Sequence, residues 1–121
     1  MHEFSICRAI VDSVLAELEK AEHKGARLLR TSVVAGDFRQ LVPDFLCNAY
    51  EILTSGTPAE GSTLEIRAAP IIGECRDCGW HGNLAVGEFW CGACESVKID
   101  LVGGMELHLE SIELETPDGN T

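Results

Sequence analysis

Four of the chain's six cysteines stand in two C-x-x-C pairs, Cys75-Arg-Asp-Cys78 and Cys91-Gly-Ala-Cys94, with twelve residues between them. No other stretch limits the fold so strongly. Each pair predicts a tight knuckle whose backbone N–H groups point at the sulfurs. The residues between them predict two short strands and a turn that bring the knuckles together. Four thiolates gathered in this way suit tetrahedral Zn²⁺, which has no redox chemistry and no ligand-field demand for another geometry. The spacing is a little shorter than the ~15–20 residues usual for this pattern, yet long enough for the hairpin. With four protein ligands and no open position, such a zinc is structural rather than catalytic. The same donors also admit iron in a rubredoxin-like site. A pair of thioredoxin-like redox centres fits less well, because neither C-x-x-C opens an evident helix within a βαβ pattern. His81, three residues past Cys78, reads as a polar loop residue or as a further ligand.

The cysteine pairs lie in a segment of distinct character, residues 70–98. It holds both tryptophans and several glycines but few aliphatic residues. A piece with so little to bury needs another source of stability, which a bound metal supplies.

The flanking sequence is that of an ordinary globular protein. Over residues 3–24, Phe4, Cys7, Ile10, Val11, Val14, Leu15 and Leu18 recur at spacings of three and four, predicting an amphipathic helix. His23 and Lys24 suit its negative end and Gly25 its stop. Residues 27–35 predict a strand. Pro43 announces a second helix that buries Phe45, Leu46, Ala49, Tyr50 and Leu53 and ends at Gly56 and Pro58. Residues 63–68 alternate as a half-buried strand does. A further alternating run, 105–110, follows the flexible pair Gly103-Gly104. Its parity then slips from Leu109 to Ile112 and Leu114, which predicts a β-bulge or break near Ser111. The tail from Pro117 is expected to fray.

The 121 residues carry a net charge of −11, which repels phosphate backbones and anionic lipid alike. Metal cations or a basic protein surface are better partners than nucleic acid or a membrane. No apolar run approaches the ~18 residues of a membrane span, and the start lacks the basic and apolar regions of a signal peptide. A cytoplasmic location follows as the expectation, and there cysteines serve metals or redox chemistry more than disulfides. No paired acid/base set or open zinc position points to an enzyme.

The chain opens Met1-His2-Glu3. A bulky His2 is expected to keep Met1 in place. The α-amine, the His2 amide and the His2 imidazole would then form two fused chelate rings, with a fourth donor from the Glu3 amide or side chain. Planar nitrogen coordination suits Ni²⁺ and Cu²⁺ better than Zn²⁺. Binding releases protons, so affinity should rise with pH. A terminal site with few side chains surrenders its metal readily, which suits a carrier.

The MHEFS start and the tandem C-x-x-C module before a final strand together resemble the hydrogenase nickel-incorporation metallochaperones, the HypA/HybF family. The stretches GDFRQLVPDFL, AYEILTSGTPAEGSTLEI and GGMELHLESIELE extend the likeness over nearly the whole chain. The resemblance implies an α+β fold: two helices on a small three-stranded sheet, interrupted by a zinc-ribbon-like four-cysteine domain. The corresponding boundaries are 1–69 with 99–121 for the nickel-binding domain and 70–98 for the zinc domain. It implies Ni²⁺ as cargo, held by Met1, His2 and Glu3, and structural Zn²⁺ on Cys75, Cys78, Cys91 and Cys94. It also implies delivery to the large-subunit precursor of a nickel–iron hydrogenase with a nickel-handling GTPase as partner, and service to urease in some relatives. Phe4 departs from the aliphatic residue common at its position. Cys7 and Cys47 fall outside the family's metal set and read as small buried hydrophobes. Without the nickel role, the same module would be a zinc-ribbon docking domain. The chain is expected to be a monomer or a weak, strand-exchanged homodimer.

Overall fold

The computed structural model describes residues 2–115, apart from the side chains of His2 and Ala21. Helices α1 (His2–Leu18) and α2 (Pro43–Thr54) alternate with strands β1 (Arg27–Gly36), β2 (Thr63–Ala69), β3 (Ile71–Cys75), β4 (His81–Leu84), β5 (Ile99–Gly103) and β6 (Leu107–Glu115). The strands form two sheets of three, ordered β2-β1-β6 and β4-β3-β5. The expected α+β arrangement is therefore present: two helices, a three-stranded sheet and a separate cysteine-bearing sheet. The described chain divides into two compact units. The first takes in the helices and most of the first sheet. The second, Val34–Gln40 and Arg67–Leu107, holds all four C-x-x-C cysteines and is wider than the 70–98 segment that stood out by composition.

The first unit is built on aliphatic burial. Cys7, Ile10, Val11 and Val14 of α1 meet Leu46, Ala49 and Tyr50 of α2, with Leu28 and Val33 from β1 and Leu64 from β2 completing the core. One polar strand runs through it. Thr31, fully buried on β1, lies 2.8 Å from the Tyr50 hydroxyl, which is 2.7 Å from Ser62 Oγ. Each hydroxyl thus has a partner, as buried polar groups require.

Several local expectations change. α1 ends at Leu18 rather than continuing to 24, and a single 3-10 turn (Ala21–His23) follows. The apolar period stops at Leu18, and none of the described side chains in 19–24 is buried. Instead Glu17 draws the chain back, with Lys20 Nζ and His23 Nε2 each 3.0 Å from its carboxylate. α2 begins at Pro43 as expected, but Phe45 is 55% exposed rather than part of the core. β6 starts at Leu107 and runs unbroken to Glu115. Its parity does slip where expected, because Glu110 and Ser111 are exposed in succession. The tail from Pro117 lies outside the described residues.

Gly103-Gly104, expected to be flexible, is instead tightly lodged. A Cβ on Gly36 would stand 2.0 Å from the Gly104 carbonyl oxygen, and one on Gly104 would stand 2.5 Å from Ile71 Cα. Gly104 adopts φ +98°, a conformation few other residues accept. Its carbonyl accepts the Phe38 N–H at 2.9 Å, while Gly36 N–H donates to the Glu106 carbonyl at 2.7 Å.

Candidate metal centre

The two cysteine knuckles share one backbone design. In the first, Cys75 N–H donates to the Trp80 carbonyl at 2.7 Å and Gly79 N–H to the Cys75 carbonyl at 3.0 Å. In the second, Cys91 N–H donates to the Ser96 carbonyl at 2.8 Å and Glu95 N–H to the Cys91 carbonyl at 3.0 Å. The residue after each closing cysteine must turn left-handed: Gly79 has φ +80° and Glu95 φ +64°. The glycine inside the second knuckle has a packing reason. A Cβ on Gly92 would meet the Trp80 ring at 2.7 Å, and one on Gly82 would meet the same ring at 2.6 Å. Trp80 thus packs onto both β4 and the second knuckle.

The segment between the knuckles does not form the expected self-contained hairpin. It contributes one strand, β4, and a tight turn closed by an Ala85–Glu88 bridge. The partner of β4 is β3, which precedes the first knuckle, and β3 pairs on its other edge with β5, which follows the second. His81 sits on β4 opposite Glu74 and is not among the residues gathered at the thiols.

The four thiols come together. Cys75 Sγ lies 3.7 Å from Cys94 Sγ, Cys78 Sγ lies 3.5 Å from Cys91 Sγ, and all four sulfurs are within 4.8 Å of one another. A tetrahedron of metal–sulfur bonds of about 2.3 Å has edges of about 3.8 Å, close to the Cys75–Cys94 and Cys78–Cys91 separations. Among the described residues, no carboxylate or imidazole belongs to the group. Backbone N–H groups point at the sulfurs, among them Asp77 at Cys75 (3.4 Å), and Ala93 and Cys94 at Cys91 (3.2 Å each). Such donors favour the thiolate form a metal needs. Burial raises the Cys91 thiol, but the N–H groups of Cys94 and Ala93, aided by the Cys78 thiol, bring it down to about 6. At Cys94 the Ser96 N–H lowers the thiol, but burial and the neighbouring thiols prevail and push it up to about 12. The set is compatible with structural zinc.

The other expected site is only partly within view. Met1 and the His2 side chain lie outside the described residues. Glu3 occupies the first turn of α1, where a carboxylate favours the positive end of the helix dipole. One of its oxygens accepts the Val42 N–H at 3.2 Å, at the cap of α2. That link was not legible in the sequence, since it joins residues 39 apart whose helices must first pack.

Cys7 is fully buried, and its thiol points at the Leu46 carbonyl, 3.6 Å away. Burial, reinforced by Cys47, pushes it up to about 11, so it is poorly suited to metals. Cys47 is exposed rather than buried, with its thiol 3.8 Å from the Leu64 carbonyl. No helix among the described residues is long and apolar enough to cross a membrane.

A family model described as "Hydrogenase/urease nickel incorporation, metallochaperone, hypA" matches residues 1–114. Among curated proteins, a hydrogenase maturation factor HypA of Nostoc punctiforme is 39% identical over 95% of this chain and 96% of its own. One of Nitrosospira multiformis is 36% identical over 96% of this chain and 99% of its own. A solution structure of the Ni metallochaperone HypA from Helicobacter pylori superposes with a TM-score of 0.62 at 23% identity, covering 96% of this chain and 99% of that one. At that identity the likeness shows the fold.

Proposed function

The chain belongs to the HypA family of hydrogenase and urease nickel-incorporation metallochaperones, and from that premise we propose that it binds Ni²⁺ through Met1, His2 and Glu3 and delivers it to the large-subunit precursor of a nickel–iron hydrogenase. The observation that carries the proposal is where α1 begins. The helix opens at His2, so the amide N–H groups of His2 and Glu3 belong to a first turn that has no intrahelical acceptor. Replacing those protons by a metal breaks no helical hydrogen bond. Of the two donors Glu3 offers, the amide is the freer, because the carboxylate is engaged with Val42.

In this reading Cys75, Cys78, Cys91 and Cys94 hold a structural Zn²⁺. The ion fixes the second unit and has no open position for chemistry. Nickel leaves by ligand exchange, as a cysteine-bearing acceptor displaces the terminal nitrogens stepwise, and a nickel-handling GTPase works with the chain in the cytoplasm. The test is nickel titration of the untagged protein, of His2→Ala, and of a chain lengthened by Gly-Ser ahead of Met1. Both altered chains are expected to bind at least an order of magnitude more weakly. Equal affinity in all three would remove the N-terminal site.

A further inference from the structure

The helical unit carries an apolar stripe that its own core leaves unused. On α2, Leu46, Ala49, Tyr50 and Thr54 face inward. Phe45 and Ile52, seven residues apart and about 100° around the helix from that face, are 55 and 66% exposed, and Val42 at the helix cap is 40% exposed. Exposed aromatic and aliphatic groups aligned on one helix face mark an interaction surface more than scattered ones do. The stripe is also concave. Glu3, Phe4, Phe45, Asn48, Ala49 and Ile52 line a hollow of about 220 Å³, enough to seat a large side chain.

Charge identifies the visitor. Residues 41–66 contain Asp44, Glu51, Glu60 and Glu65 but no lysine, arginine or histidine. Asp44 and Glu51 each precede a member of the stripe and so border it along its outer side. Glu3 lines the hollow itself. Arg8, the cation nearest to Phe4 along α1, does not line it. We propose that this face receives an amphipathic helix of a partner protein, with an apolar side chain in the hollow and lysine or arginine against Asp44, Glu51 and Glu3. Apolar contact would hold the complex, and the opposed charges would set its register and speed its association. A second copy of the chain would bring Asp44 and Glu51 against carboxylates of the same kind. An anionic membrane or a nucleic acid would meet the same repulsion. Because Glu3 is shared, a helix docked here lies beside the proposed nickel tripeptide. Its relevance to metal transfer rests on that proposal, though the docking itself does not.

The test uses the isotope-labelled full chain with its native N-terminus. Two synthetic probes share one amphipathic pattern and are each about 18 residues, or five helical turns, long: one of leucine and lysine, the other of leucine and glutamate. The lysine peptide is expected to shift the amides of Glu3, Phe45, Asn48 and Ile52, and the glutamate peptide to leave them unmoved. Phe45→Gln with Ile52→Gln, both at exposed positions, should weaken the lysine peptide about tenfold without changing the thermal unfolding of the chain. Asp44→Asn with Glu51→Gln should weaken it less and flatten its salt dependence. Shifts spread over Glu65, Glu110 and Glu113, with no loss in the glutamine pair, would overturn the proposal. So would self-association of the free chain through the same amides. His2→Ala should lose nickel yet keep the peptide, and the glutamine pair should lose the peptide yet keep nickel, so the two proposals can fail separately.

Discussion

Cys7 and Cys91 are equally hidden from solvent, yet their thiols are driven in opposite directions. Cys7 sits among Ile10, Leu46 and other apolar groups, and burial with the neighbouring Cys47 pushes it up to about 11. Cys91 is also penalised by burial, but two N–H groups 3.2 Å away, together with the Cys78 and Cys94 thiols, outweigh that and bring it to about 6. Burial alone therefore does not decide what a cysteine can do; the directed donors around it do. The same contrast separates the two units. One is held by a cluster of buried apolar side chains. The other folds a few strands around four sulfurs.

The strongest challenge to this contrast is to withdraw the proposed zinc. Cys91→Ala, or chelation of the wild type, should melt the β4-β3-β5 sheet while α1 and α2 keep their amide protection. Structural zinc supplies on the order of 10 kcal/mol or more to such modules. Hydrogen exchange resolved by residue reads this directly, and equal loss of protection in α1 and α2 would mean that the units do not stand apart. A smaller and opposite effect is expected from Leu46→Ala. The fully buried Leu46 side chain should cost the helical unit about 2–5 kcal/mol and leave the exchange of β3, β4 and β5 unchanged. The mildest probe is alkaline pH. The Cys7 thiol is raised from 9.0 to about 11 in the folded state. Its stabilising contribution is thus complete below pH 9 and is lost as pH rises through about 11. The amount is about 2–3 kcal/mol, and it should appear as an alkaline fall in denaturant stability that Cys7→Ala lacks. An identical fall in both chains would show that the buried thiol carries no such penalty.

Much of this architecture was legible in the order of residues, and what was not shares a physical cause. The cysteine spacing announced its cluster because two C-x-x-C knuckles are local structures with fixed backbone needs. β1, α2 and β2 were legible because periodicity, Pro43 and Gly56 act over a few residues. The partner of β4 was not, since a strand pairs with whatever the fold brings alongside, and that was β3 rather than the rest of its own loop. Nor was the end of α1, because Gly25 marks where a helix must stop, whereas packing ended this one at Leu18. Phe45 fits the apolar period of α2 as well as Leu46 does, and only the core shows which of the two lies inside. Glu95 takes a left-handed turn that the first knuckle assigns to Gly79, and no composition rule pointed to it.

Gly36 and Gly104 carry no reactive group, yet the closeness of their backbones gives them a further importance. In a survey of every single substitution, Gly36 should be as intolerant as a cysteine of the four-sulfur cluster, for want of room rather than want of chemistry. Ranking positions in this chain by intolerance alone would therefore place steric and chemical necessity side by side. Only the chemistry of the replacement separates them: serine at a cysteine keeps the size and loses the thiol, whereas alanine at Gly36 adds one methyl group and forces two backbones apart.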